Sequence, residues 1–224
     1  MMSAENEVEW LGVLVPRSAY NRGLVEARDR LADAAKAGDW HAVLGMLDDG
    51  GKSGLGANDW RVSGTSWFGP LHQAAWLGAP EAVVRGLVER GAWLSLRDSS
   101  GRRPVDIARE RDHLDLVDVL TPTYDVPISE ESAAAMARRL ADLVQEAVRQ
   151  AIEGSVEVRH LDVLCLAERG DKVWFPIPGM YGGFAAELFR GRLHADSWSR
   201  VVGGSGRAYA ITAERTTLID DGFV

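Results

Sequence analysis

Between Gly69 and Gly101 the chain carries a pattern that leaves few folds open. Gly69-Pro70-Leu71-His72-Gln73-Ala74-Ala75-Trp76-Leu77-Gly78 reads as a turn feeding a short helix of small residues, which Gly78 stops. A second apolar helix follows and closes at Glu89-Arg90-Gly91-Ala92, and Asp98-Ser99-Ser100-Gly101 makes the next turn. The unit recurs on both sides. Downstream come Arg103-Pro104-Val105-Asp106-Ile107-Ala108, then Arg109-Glu110-Arg111-Asp112-His113, then Leu114, Leu116, Val117 and Leu120, with Pro104 34 residues after Pro70. Upstream, Leu24, Ala27, Leu31, Ala34 and Ala35 step by three and four along one helical face, and Gly38 stops that helix. Val43, Leu44, Met46 and Leu47 then mark a partner helix, ended by Asp48-Asp49-Gly50-Gly51. Ala34-Ala35-Lys36-Ala37-Gly38 matches Ala74-Ala75-Trp76-Leu77-Gly78 at an offset of 40 residues.

Pro70, Leu71, His72, Ala74, Ala75, Gly78, Gly91, Ala92, Asp98 and Gly101 resemble one repeat of the ankyrin family, with Gly69 where the family has Thr. The resemblance implies an α-helical solenoid of about three repeats over residues 24–124, the helix pairs stacking because each alone leaves an apolar face bare. It implies that His72 and His113 hold adjacent turns rather than catalyse. It also implies binding of another protein through the groove and finger loops, by the residues that the motif leaves free. Carried over by position, these are Lys36, Trp76, Leu77, Glu110 and Arg111 after the helical turns, and Arg97, Ser99, Ser100 and Arg102 in the finger. Trp93 stands where the family usually has Asp. The long first interval lies in Gly50 to Phe68, whose Trp60, Trp67 and Phe68 suit an ordered, enlarged finger better than a flexible linker. Asp59, Trp60 and Arg61 are its expected contacts. Trp76, Trp60 and Trp93 are the expected anchors, since Trp and Arg dominate many interfaces. They have equal reason to pack on one another or on the rest of the chain.

Residues 1–23 read as an arm whose short apolar run, Trp10 to Val15, ended by Pro16, is either a strand or an extended segment, too short for periodicity to decide. Residues 125–224 change character and read as a small α+β domain, so the whole chain is α+β. Ser129-Glu130-Glu131 starts a long helix whose stripe of Met136, Leu140, Leu143, Val144, Ala147 and Ala151 is expected to cap the third repeat or a C-terminal sheet. An antiparallel meander follows: a kinked strand through Val163-Leu164-Cys165-Leu166, a hairpin turn at Glu168-Arg169-Gly170-Asp171, and Val173-Trp174-Phe175, stopped by Pro176 and Pro178. Trp198 to Val202, Ala208 to Thr212 and Thr217 to Ile219 read as further strands, with Gly203-Gly204-Ser205-Gly206 as a turn rather than a phosphate loop, because Arg207 and a β-like run follow it.

The composition narrows the chemistry. A net charge of −8 over 224 residues disfavours general attraction to nucleic acid or anionic membrane. The single Cys165 rules out an internal disulfide and any paired-Cys zinc site. The acidic start lacks a signal-peptide pattern, no run of apolar residues is long enough to span a bilayer, and a cytoplasmic, bacterial-type protein is the expectation. The histidines show no ligand spacing, so no metal, cofactor or catalytic residue is expected. Two alternatives stay open. One is a ligand-binding or catalytic C-terminal unit using Tyr181, Asp196, Arg200 and Arg207, with the repeats as a targeting arm. The other, suggested by the charge alone, is an immunity-like inhibitor of a basic protein.

Overall fold

The computed structural model describes residues 7–49, 54–153, 156–199 and 206–222. It mixes helix and sheet in two units, residues 16–123 and residues 1–15 together with 124–224.

The first unit is helical. Helix α1 (Arg22–Ala37) starts where the Asn21 side chain accepts from Gly23 and Leu24 N–H, and stops at Gly38 in the left-handed conformation. Helix α2 (Trp40–Asp48) is capped by Asp39. Helices α3 (Pro70–Leu77) and α4 (Glu81–Glu89) make the second pair. In the third pair, α5 (Pro104–Glu110) is followed by a 3-10 turn at Leu114–Leu116 and one α-turn, α6 (Val117–Leu120). Helix α3 packs on both α1 and α5, so the three pairs lie side by side. Their common core is Leu31, Ala74, Ala75, Val84, Leu87, Ile107, Ala108, Leu116 and Leu120. The Ala pairs matter because small side chains let neighbouring helices approach closely.

The histidines are scaffold. His72 Nδ1 accepts from Gly69 N–H at 3.2 Å, and its Nε2 lies 3.0 Å from the Leu96 carbonyl, tying one pair to the next turn. His113 Nε2 lies 3.3 Å from the Trp76 carbonyl. Gly78 is needed there twice over: its φ is +63°, and an added Cβ would meet the His113 ring at 2.6 Å.

The second unit is a sheet with two helices. The order is β1 (Glu7–Glu9), β4 (Lys172–Ile177), β5 (Gly182–Phe189), β6 (Arg192–Ser199), β7 (Gly206–Ile211) and β8 (Thr216–Gly222), with β2 (Val13–Leu14) and β3 (Glu157–Val158) paired separately. Every pair is antiparallel except β1 with β4. Helix α7 (Glu130–Ala151) presents Ala133, Met136, Leu140, Val144 and Val148 as its buried stripe and packs on β4, β7 and helix α8 (Val163–Arg169). Of the expected stripe, Leu143, Ala147 and Ala151 lie at its margins, half-buried.

Four expectations are corrected. Residues 7–15 are part of the second unit rather than an arm: β1 joins the sheet, and Trp10 is 1 % exposed, its Nε1 donating to the Arg159 carbonyl at 2.9 Å. Gly12 permits this contact, since a Cβ would come within 2.4 Å of that same carbonyl oxygen. Val163 to Leu166 form a helix rather than a strand. Asp162 caps it, every face is buried, and a short all-apolar run carries no periodicity to separate the two structures. Gly170 is accordingly that helix's left-handed stop, not the centre of a hairpin. Pro176 does not end β4 but sits inside it, opposite Gly183; β1 covers β4 only as far as Trp174, so the proline's missing donor costs no described ladder bond on that side. The expected turn at 203–205 and the end of the strand at 200–202 lie outside the described residues.

Candidate partner-binding groove

Residues 54–69 build one wall of a groove in the helical unit. Their loop is ordered by buried polar contacts rather than by secondary structure. Asn58 bridges two backbone groups, its amide donating to the Gly91 carbonyl and its oxygen accepting from Trp93 N–H, both at 2.8 Å. Asp59 accepts from Gly56 N–H and forms a buried ion pair with Arg28. Arg28 in turn lies over the Trp60 ring. Two non-glycine residues in this loop, Ser63 and Trp67, are held in the left-handed region at φ 64° and 57°. Such conformations cost of order 1 kcal/mol each and persist where surrounding contacts over-determine them.

The opposite wall is the finger turn at 98–102. Asp98 is saturated: it accepts from Ser100 and Arg102 N–H and from the Arg102 guanidinium, at 2.8 to 2.9 Å. Ser99 N–H donates to the Ser66 carbonyl at 3.1 Å, joining the two loops. Arg102 also reaches Glu110 at 2.8 Å.

Between them lies a groove of about 580 Å³, lined by Ala32 and Lys36 of α1, Arg61, Gly64, Ser66 and Phe68 of the long loop, Gln73, Trp76 and Leu77 of α3, and Asp98, Ser99, Ser100 and Arg102. Its floor is aromatic. Phe68 stacks on His72 and meets Trp76 edge-on with centroids 6.1 Å apart. Arg111 lies 4.5 Å over the Trp76 ring, and Arg102 6.0 Å over Phe68. Leu77 remains 43 % exposed. Arg61 is steered by Asp29 and Asp33, and Asp29 is shared with Arg17. Its hydrogen bond from Arg17 holds the Asp29 carboxyl below the ordinary carboxylate range, against the opposing effect of burial.

Of the residues expected to bind a partner, Lys36, Arg61, Trp76, Leu77, Ser99, Ser100 and Arg102 line this groove. Arg111 covers Trp76, and Glu110 holds Arg102. Arg97 is half-buried and donates to the Gly101 carbonyl. The two other anchors are corrected. Trp60 is 4 % exposed and Trp93 is fully buried, so neither presents a face to a partner. Trp93 is a core residue, and Asn58 holds its backbone. Among the residues the sequence did not single out as contacts, Phe68 is central; its place beside two tryptophans in a polar loop was the available signal.

No family model and no curated protein matches this chain.

The residues proposed for a C-terminal pocket do not gather. Tyr181 is 78 % exposed in the turn between β4 and β5. Asp196 lies opposite Ala208, whereas Arg207 lies opposite Ser197, so the two project from opposite faces of the sheet. Arg207 pairs with Asp221 at 3.1 Å. Arg200 lies outside the described residues. Among the described residues no group of three or more His, Cys, Asp or Glu is placed to hold a metal, and no helix is long and apolar enough to cross a membrane.

Proposed function

We propose that residues 16–123 are an ankyrin-like recognition module of about three repeats that binds another protein in the groove between the long loop and α3. The observation that carries this reading is the floor formed by Trp76, Phe68 and Leu77. Large apolar side chains stay partly open to solvent there, beside the paired Arg61 and Arg102 and the exposed Lys36. A monomer gains nothing from leaving that surface uncovered, whereas a partner that buries it gains about 25 cal/mol per Å². The loop walls are already ordered by Asn58, Asp59 and Asp98, so a partner need not supply that ordering free energy. The chemistry asked of these residues is burial and charge pairing, not bond making.

The test is affinity capture from the source cell with the full chain and with Trp76→Ala/Arg111→Ala. A protein captured by the wild type and lost with the variant is the expected result. Capture unaffected by the variant removes the groove as the binding surface.

A further inference from the structure

Resting on that reading, we infer the chemistry of the segment the groove accepts: an acidic stretch of another protein carrying at least one large apolar side chain. Two exposed cations at the groove, Lys36 and Arg111, form no ion pair with a described carboxylate, whereas Arg61 is paired with Asp29 and Asp33 and Arg102 with Asp98 and Glu110. The whole sequence is −8, yet the lining holds three cations, Lys36, Arg61 and Arg102, and a single carboxylate, Asp98. Asp98 adds little outward field, because its side chain is 1 % exposed and its oxygens are occupied by Ser100 N–H, Arg102 N–H and the Arg102 guanidinium. Arg111 adds a fourth cation over Trp76, and its side chain is exposed.

Arg61 and Arg102 each keep one sheltered counter-ion, Asp29 and Asp98, and one exposed, exchangeable counter-ion. Asp33, paired with Arg61, is 69 % exposed, and Glu110, paired with Arg102, is 52 % exposed. Surface pairs of this kind are weakly held in water. A partner carboxylate replaces them with a contact that is shielded once the partner covers the groove. Lys36 is exposed on α1 beside the apolar floor. Cations thus border a floor of Trp76, Phe68 and Leu77, which calls for carboxylates alternating with a buried apolar side chain.

A nucleic acid presents a continuous phosphate line and fits less well. The nearby carboxylates of Asp33 and Glu110 and the overall −8 charge repel an extended polyanion, while isolated carboxylates seat between them.

The probe is a phage-displayed library of short random peptides, selected on the full chain and on Lys36→Glu/Arg111→Glu, with binding of the recovered peptides measured by fluorescence anisotropy. The wild type is expected to enrich peptides rich in Asp and Glu with an aromatic or Leu. The double variant is expected to bind them about tenfold or more weakly, and raised salt should weaken the wild type in the same direction. Both substituted side chains are exposed, and a thermal melt matching the wild type confirms the fold; salt dependence of the wild type is the readout that needs no variant. Enrichment of basic or neutral peptides, no enrichment, or competition by oligothymidylate equal to that by the peptide overturns the inference. Acidic peptides that bind Trp76→Ala as well as wild type overturn both this inference and the groove reading. A cellular partner lost with Trp76→Ala but indifferent to the charge reversals overturns the acidic chemistry alone.

Discussion

At the scale of single residues, the three tryptophans that the sequence treats alike divide into two kinds. Trp93 contributes to the interior, with no exposed surface and a backbone N–H held by Asn58. Trp76 contributes to a surface, under Arg111 and beside Phe68. Trp93→Ala is expected to lower the unfolding free energy by about 3–5 kcal/mol through the cavity it leaves. Trp76→Ala is expected to change it far less, and to abolish partner capture instead. Urea unfolding followed by circular dichroism separates the two. Equal losses of stability would mean that Trp76 is also part of the core.

At the scale of elements, the long loop is tied to α1 by ion pairs, among them that of Arg61 with Asp29. Asp29 accepts from both Arg17 and Arg61, and its carboxyl is held below its ordinary range chiefly by Arg17. A carboxyl depressed on folding adds stability that is present above its unfolded value, about 3.9, and is lost as pH falls through the lower folded value. The helical unit should therefore lose part of its stability as pH falls below about 4, and Asp29→Asn should lose part of that acid dependence. Urea midpoints at neutral and acid pH for both proteins check this; identical pH dependence would show that Asp29 contributes nothing. The same loop shows what was legible in the sequence. Its aromatics marked it as ordered, but not the burial of Asp59 against Arg28 or the Asn58 bridge, because those partners lie 31 and 33 residues or more away.

At the scale of the molecule, the two units divide the chain discontinuously: the first 15 residues fold with the last hundred. Deleting residues 1–15 removes β1 and the Trp10 side chain from one unit while leaving every residue of the other in place. Hydrogen exchange should then show protection lost in β4 and β5 and kept in α1 and α3. Uniform loss across both units would mean that they unfold as one.

The helical unit was written locally. Asn21 and Asp39 as caps, Gly38 and Gly78 as stops, and the Ala pairs at matching places are short-range signals, and each helix pair is built within about forty residues of sequence. From these the sequence by itself determined the helix pairs, and with them seven of the groove's lining residues. Tertiary structure decided what depends on distant partners. Glu7-Val8-Glu9 holds one apolar residue, so nothing in it marks a strand until β4 supplies the ladder. Val163 to Leu166 is apolar on every side, and only being surrounded decides that it coils rather than extends. Which tryptophan is core and which is floor was settled in the same way, by side chains that meet from far apart in the chain: solvent exposure belongs to the packed molecule, and residue type alone does not fix it.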